Sequence, residues 1–231
     1  MTDSLIVTLD RGTATQRHRQ SFTVPAQKNQ TILDVVTWIQ QNADPALTYR
    51  FACRVGMCGS CAMTVNGTPR WTCRTHVSKV ARRGRLTIGP LRNLPIIKDL
   101  ATDMDPFFDK WTASEARHHP SATRYDPMPK IKPATRAQAA AGIECINCAV
   151  CYAACDTVGN VPAYPGPAAL QRAHTLIADE KDAGTEVVLS AITGEGGLHS
   201  CHSIGACTQA CPNALDPMSA IATLKRKTAL R

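Results

Sequence analysis

The sequence predicts an α+β protein of two domains: a small β-rich domain over residues 1–105, then a mainly helical domain with its connector over residues 106–231. Three observations predict this. Strand-like segments and an Asn-Gly turn crowd the first hundred residues. A proline-rich stretch from 90 to 135 interrupts the chain, with Pro90, Pro95, Pro106, Pro120, Pro127, Pro129 and Pro133. Beyond residue 134 the patterning is helical with little strand signal.

In the first domain SLIVTL and SFTV read as strands joined by the polar run Asp10 to Gln20. Thr31 is placed to cap a helix with Asp34 three residues on, and Ile32, Val35, Val36 and Ile39 form its apolar stripe. That helix should end near Asp44-Pro45. CAMTV runs into Asn66-Gly67, a hairpin signal because a type I′ turn needs positive φ at both central residues. RLTIGP supplies a last strand. The connector should hold one short helix around Phe107 to Ala116. In the second domain Pro167 opens PAALQRAHTLIADE as an N1 proline, with Leu170, Ala173, His174 and Ile177 on one face. Asp216-Pro217 repeats the device ahead of MSAIATLKRK, whose basic end suits the helix dipole.

Eleven cysteines in 231 residues, an odd number, argue against a disulfide framework and for bound metal. The formal charge of +8 misleads if iron–sulfur clusters are present. Eleven deprotonated thiols and oxidised cluster cores bring it to about +2. Aromatic residues are 5% and no basic stretch alternates with stacking side chains, so a nucleic-acid partner is not expected. No apolar run approaches membrane-spanning length. The N-terminus has no basic, apolar leader, which favours the cytoplasm or a processed organelle protein.

The chemistry lies in three cysteine runs. CRVGMCGSC places Cys53, Cys58 and Cys61 at C-x4-C-x2-C, and Cys73 follows across the Asn-Gly hairpin. This is the plant-type [2Fe–2S] spacing. Gly56 and Gly59 let the loop take positive φ and aim backbone N–H groups at sulfur. A zinc site would show C-x2-C pairs instead. CINCAVCYAAC carries Cys145, Cys148, Cys151 and Cys155, and CHSIGACTQACP repeats its spacing with Cys201, Cys207 and Cys211. Ile204 stands where the second cysteine of that repeat would be. In such paired runs the fourth cysteine serves the other cluster. Cys145, Cys148, Cys151 and Cys211 would therefore hold a [4Fe–4S] cluster, and Cys155, Cys201 and Cys207 a [3Fe–4S] cluster. Sets of four, four and three use every cysteine. A zinc site in the last set would need His199 or His202 to complete it.

CRVGMCGSCAMTVNG, ECINCAVCYAAC, GPAAL and CHSIGACTQACP, in this order, resemble the iron–sulfur subunit of succinate dehydrogenase and fumarate reductase over nearly the whole chain. The resemblance implies a β-grasp [2Fe–2S] ferredoxin-like domain and a C-terminal α-helical ferredoxin domain. It implies an electron-transfer subunit, with no succinate site of its own, docked on a flavoprotein carrying FAD. A membrane anchor, with haem b in some members, would help form a quinone site. Such a subunit would sit peripherally on the cytoplasmic face of the bacterial inner membrane, or on the matrix side in mitochondria. A subunit of a related quinone- or thiol-linked dehydrogenase or reductase is the alternative. His202 and Ile204 match positions near the three-iron cluster and the quinone. Asp156 and Asn160 depart from the family pattern at the same pocket, where proline and tryptophan are frequent. Asp156 beside Cys155 is expected to make reduction of the nearby cluster harder.

The remaining features have plainer readings. His118-His119 is expected to be solvated, and His174 to be a core or interface histidine. Arg82, Arg83 and Arg85 are expected to lie in a solvated loop or to face a partner. The basic end LKRKTALR suits either an ordinary helix terminus or a place near anionic lipid.

Overall fold

The computed structural model describes residues 4–122, 127, 130 and 132–230. Pro129, part of the connector expected over 90–135, and Arg231 of the basic end lie outside the described residues. The chain divides into two compact units. The first holds residues 1–104 and 146–154, and the second holds 105–145 and 155–231. The stretch Ile146–Ala154, which the linear reading assigns wholly to the helical half, groups with the first unit.

The first unit is built on a five-stranded mixed sheet in the order β2-β1-β5-β3-β4. Strands β1 (Ser4–Gly12) and β2 (Arg17–Pro25) form an antiparallel hairpin, and β5 (Arg85–Gly89) runs parallel to β1. Strands β3 (Ala62–Val65) and β4 (Thr68–Trp71) complete the sheet. Helix α1 (Ile32–Asn42) packs across it. Leu5, Val7, Leu9 and Val24 from the sheet and Ile32, Val35, Val36 and Ile39 from the helix share one buried core. A mixed sheet holding one such helix is the β-grasp arrangement. Thr31 caps the helix with a complete capping box, its hydroxyl accepting from Asp34 N at 3.2 Å while Asp34 accepts from Thr31 N at 2.9 Å.

The polar run Asp10 to Gln20 is less of a loop than its composition suggests, because β1 extends to Gly12 and β2 begins at Arg17. An outer strand can expose one whole row of side chains, so Arg17, His18 and Arg19 carry no alternating apolar signal. A one-turn helix, α2 (Val77–Val80), and a small two-stranded sheet of β6 (Ile96–Lys98) and β7 (Ala101–Thr102) finish this region. The sheet's second strand is too short for any periodicity to register. The short helix α5 (Val150–Ala153) packs near β4 and belongs to this unit.

The second unit is helical. It comprises α3 (Asp105–Ala113), α4 (Pro133–Ile143), α6 (Asp156–Asn160), α7 (Pro167–Ile177), α8 (Thr185–Ile192), α9 (Ala206–Ala210) and α10 (Pro217–Ala229). Helix α7 is central, packing against α4, α8 and α10. Leu170, Ala173 and His174 are buried as their spacing predicts, whereas Ile177 is only partly covered. The connector helix starts two residues before its expected position and ends earlier. His118 and His119 are not simply solvated: His118 Nδ1 lies 2.9 Å from Asp182 Oδ2, and His119 N donates to the same oxygen at 2.9 Å. The Asp182 side chain is fully buried, so it needs those partners. No helix among the described residues is long and apolar enough to cross a membrane.

Candidate electron-transfer centres

The first cysteine set is assembled by one loop and one hairpin. The type I′ turn is present as predicted, with Asn66 at φ 49° and Gly67 at φ 80°. It returns β4 beside β3, so Thr72 Oγ1 donates to Cys61 O at 2.7 Å and Cys73 N points at Cys61 Sγ from 3.5 Å. The loop from Cys53 to Cys61 curls around sulfur. Met57 N and Cys58 N approach Cys53 Sγ at 3.2 and 3.3 Å, and Ser60 Oγ lies 3.0 Å from Cys58 Sγ. N–H groups aimed at sulfur stabilise thiolate, the form that binds iron.

The set has a wet side and a dry side. Cys61 and Cys73 are buried against Leu33, with Trp71 and Tyr49 alongside, while Cys58 is exposed. Burial, reinforced by Cys61, pushes the Cys73 thiol up to about 12. The Cys53 backbone N–H and the Ser60 hydroxyl bring Cys58 down to about 6. A β-carbon on Gly56, at φ 79°, would sit 3.0 Å from Arg74 Cγ and 3.1 Å from the Trp71 ring. The glycine lets the loop close over Trp71.

The two later runs repeat one backbone conformation. In the first, Asn147 and Ala149 are left-handed, at φ 54° and 57°. In the second, Ser203 and Gly205 are left-handed, at φ 57° and 82°. Each pair lies two and four residues after the leading cysteine, so Ile204 occupies the backbone position that Cys148 occupies in its own run. Non-glycine residues rarely adopt this conformation. Its use at Asn147, Ala149 and Ser203 as well as at the glycine turns N–H groups inward, as Ser203 N approaching Cys201 Sγ at 3.4 Å shows. Cys151 and Cys207 lie inside the short helices α5 and α9. Asn213 Nδ2 donates to Glu144 O at 2.6 Å, which tethers the segment entering Cys145 to the one leaving Cys211.

Cys155, Cys201 and Cys207 all belong to the second unit. Burial is the main reason the Cys207 thiol is pushed up to about 11. Two lysines serve this set: Lys110, its charge disfavoured by burial but supported by Cys155, and Lys225, whose Nζ donates to Cys201 O. Tyr164, which belongs to no motif in the sequence, has its wholly buried phenol among the same cysteines. Its only sequence signal is an aromatic residue just before Gly166 and the GPAAL stretch.

His202 and Ile204 are exposed in the loop between Cys201 and Cys207. Asp156 and Asn160 are exposed on α6, where Asn160 Nδ2 donates to Asp156 O at 2.9 Å. All eleven cysteines are free thiols, so no disulfide competes for them. Among the described residues, no three Cys, His, Asp or Glu side chains converge as ligands of a single ion would.

Two ferredoxin-type cluster regions in one chain define an iron–sulfur electron carrier. Residues 6–109 match the model of a 2Fe-2S iron-sulfur cluster binding domain, and residues 142–215 that of a 4Fe-4S dicluster domain. The chain is 34% identical over 216 residues to the fumarate reductase iron-sulfur subunit of Haemophilus influenzae, covering 88% of this chain and 84% of that one. It is 39% identical over 202 residues to the mitochondrial succinate dehydrogenase [ubiquinone] iron-sulfur subunit 1 of Oryza sativa subsp. japonica, covering 84% and 70%. A chain of the Mycobacterium smegmatis Sdh1 complex in the apo form superposes with TM-score 0.89 at 25% identity, covering 100% of this chain and 98% of that one. The chain belongs to the family of succinate dehydrogenase and fumarate reductase iron–sulfur subunits. It is the electron-transfer subunit of an oxidoreductase of that kind.

Proposed function

We propose that the chain relays single electrons between FAD in a flavoprotein partner and a quinone at a membrane anchor. In this reading Cys53, Cys58, Cys61 and Cys73 hold a [2Fe–2S] cluster. Cys145, Cys148, Cys151 and Cys211 hold a [4Fe–4S] cluster, and Cys155, Cys201 and Cys207 hold a [3Fe–4S] cluster. The clusters supply one-electron carriers, which a two-electron flavin and a two-electron quinone both require. This chain supplies spacing, burial and N–H groups directed at sulfur, the means by which proteins set cluster potentials.

The observation that carries the reading is the repeated left-handed pair, which sets Ile204 in the place of Cys148. An isoleucine cannot bind iron, so the repeat is one thiolate short in an otherwise matched scaffold. His202 and Ile204, both exposed, are the side chains proposed to face quinone, with Asp156 and Asn160 at the same pocket. The subunit would be held peripherally on its membrane by the anchor, on the cytoplasmic or matrix side. Iron and acid-labile sulfide analysis of the intact complex tests the proposal. About nine non-haem iron atoms per copy of this chain and a paramagnetic three-iron signal in the oxidised state are expected. Stoichiometric zinc with no such signal would overturn it.

A further inference from the structure

We infer that a cavity lined by α4, α7 and α10 in the second unit binds a small molecule bearing a primary carboxamide. Its N–H donates to Gln171 Oε1 and its carbonyl accepts from His174 Nδ1. No cysteine lines this cavity, and its occupancy is independent of the cluster assignments.

The cavity measures about 190 Å³, far above the roughly 10–15 Å³ that one water needs. Gln171 and His174 of α7 line it and are only 5% and 8% exposed. Gln171 Oε1 and His174 Nδ1 have no hydrogen-bond partner among the described residues. Buried polar atoms nearly always have one, so two such atoms in one cavity point to a ligand. Three residues apart on a helix, the two side chains are neighbours about 5–6 Å from each other at Cβ. A carboxamide spans such a gap, with N–H at one end and C=O at the other.

The other polar groups of the lining are already engaged. Ser219 Oγ donates to Asp216 Oδ2 at 2.5 Å, and Asp216 Oδ1 accepts from Ser219 N and Thr208 Oγ1. Thr223 Oγ1 donates to Ser219 O at 2.9 Å and accepts from Arg226 Nη2 at 3.0 Å. Gln171 Oε1 can only accept, so the occupant must donate to it. Burial first, then the charge of Lys227, pushes the His174 imidazole pKa down, so the ring is neutral. With its hydrogen on Nδ1, that ring donates. A carboxylate would face Gln171 Oε1 acceptor to acceptor. An ammonium could not accept from His174 and would meet the positive charge of Lys227. A neutral group with one donor and one acceptor satisfies both atoms. Buried Leu215 and Ala220 supply an apolar surface for the rest of the molecule.

The test titrates the intact complex with isobutyramide and with isobutyrate, its near-isosteric anion, and follows binding by ligand-observed NMR. Isobutyramide should bind saturably and at least about tenfold more tightly than isobutyrate. Gln171→Met keeps the length of the side chain and removes the acceptor. It should weaken isobutyramide binding by roughly tenfold or more and leave the iron content as in the wild type. Absence of saturable binding would show that solvent alone fills the cavity and overturn the inference. Isobutyrate binding as tightly as the amide would overturn it too, because the charges of Arg226 and Lys227 would then govern the site. Equal binding by wild type and Gln171→Met would place the amide elsewhere, with the same consequence. If the variant fails to assemble, amide hydrogen exchange of the wild type decides. Isobutyramide should slow exchange in α7 and α10, and unchanged exchange there would refute the assignment.

Discussion

A β-carbon placed on Gly59 would lie 2.6 Å from the Cβ and 2.8 Å from the Cα of Cys148. Two cysteine motifs almost ninety residues apart in sequence thus meet, within the first unit, through the absence of a side chain. Gly59 is also left-handed, at φ 69°. Gly67, at φ 80°, stands in open space, with no atom within 4 Å of where a methyl group would go. Gly67→Ala should cost about 1 kcal/mol from backbone conformation alone. Gly59→Ala should cost several kcal/mol and lower the cluster content of the first unit. Denaturant unfolding and iron analysis of the two variants would check this, and equal losses would refute it.

Ile204→Cys restores a thiol at the position matched to Cys148. The expected outcome is a gain from about nine to about ten iron atoms per chain, with loss of the oxidised three-iron EPR signal. A variant that keeps both the signal and the iron count would show that the backbone repeat does not place this side chain at the cluster.

The Arg11 guanidinium, in the first unit, joins Asp99 at 3.0 Å and Asp44 at 2.7 Å, with the Asp99 side chain only 2% exposed. Arg11→Met leaves a buried carboxylate without its cation and should destabilise by about 3–5 kcal/mol. Arg19→Ala removes an exposed pair with Asp10, at 3.3 Å, and should change stability by less than about 1 kcal/mol. Unfolding midpoints of the two variants decide whether burial controls the difference.

The same Asp99 predicts a pH dependence. Burial alone would raise its carboxyl pKa, but hydrogen bonds from Gly12, Arg11 and Thr48 outweigh burial and hold it below the usual range. A carboxyl depressed in the folded state stabilises fully above the unfolded value of about 3.9 and loses that contribution as pH falls through the folded value. The stability gap between wild type and Asp99→Asn should therefore shrink below about pH 4. A gap that stays constant from neutral to acid pH would contradict this.

Asp216 caps α10, accepting from Ser219 N at 3.1 Å and from Thr208 Oγ1 at 2.8 Å. Asp216→Ala should cost about 1 kcal/mol, and Asp216→Asn much less. Faster amide exchange in the first turn of α10 is the matching local readout.

Features that depend on near neighbours are legible in the sequence: the Thr31 capping box, the Asn66-Gly67 turn, the prolines opening α7 and α10, and the cysteine spacings. Strand β2 reads short because only Val24 is fully buried along it, leaving mostly charge and polarity. Tyr164 escapes notice because what marks it is a buried hydroxyl among cysteines from about ten to more than forty residues away in sequence. The link from Gly59 to Cys148 is invisible for a related reason: a glycine spacing shows that room is needed, not what fills it. The partners of His118 and His119 lie on Asp182, beyond any local pattern.

The first unit closes only with Ile146–Ala154, where Asn93 Nδ2 donates to Tyr152 O at 3.0 Å and Cys148 lies against Gly59. During synthesis the nascent sheet must therefore wait for some forty further residues to leave the ribosome before its last piece arrives. A polypeptide halted at residue 105 would be left with an uncovered flank, and cluster insertion would have to be timed to the late arrival of that segment.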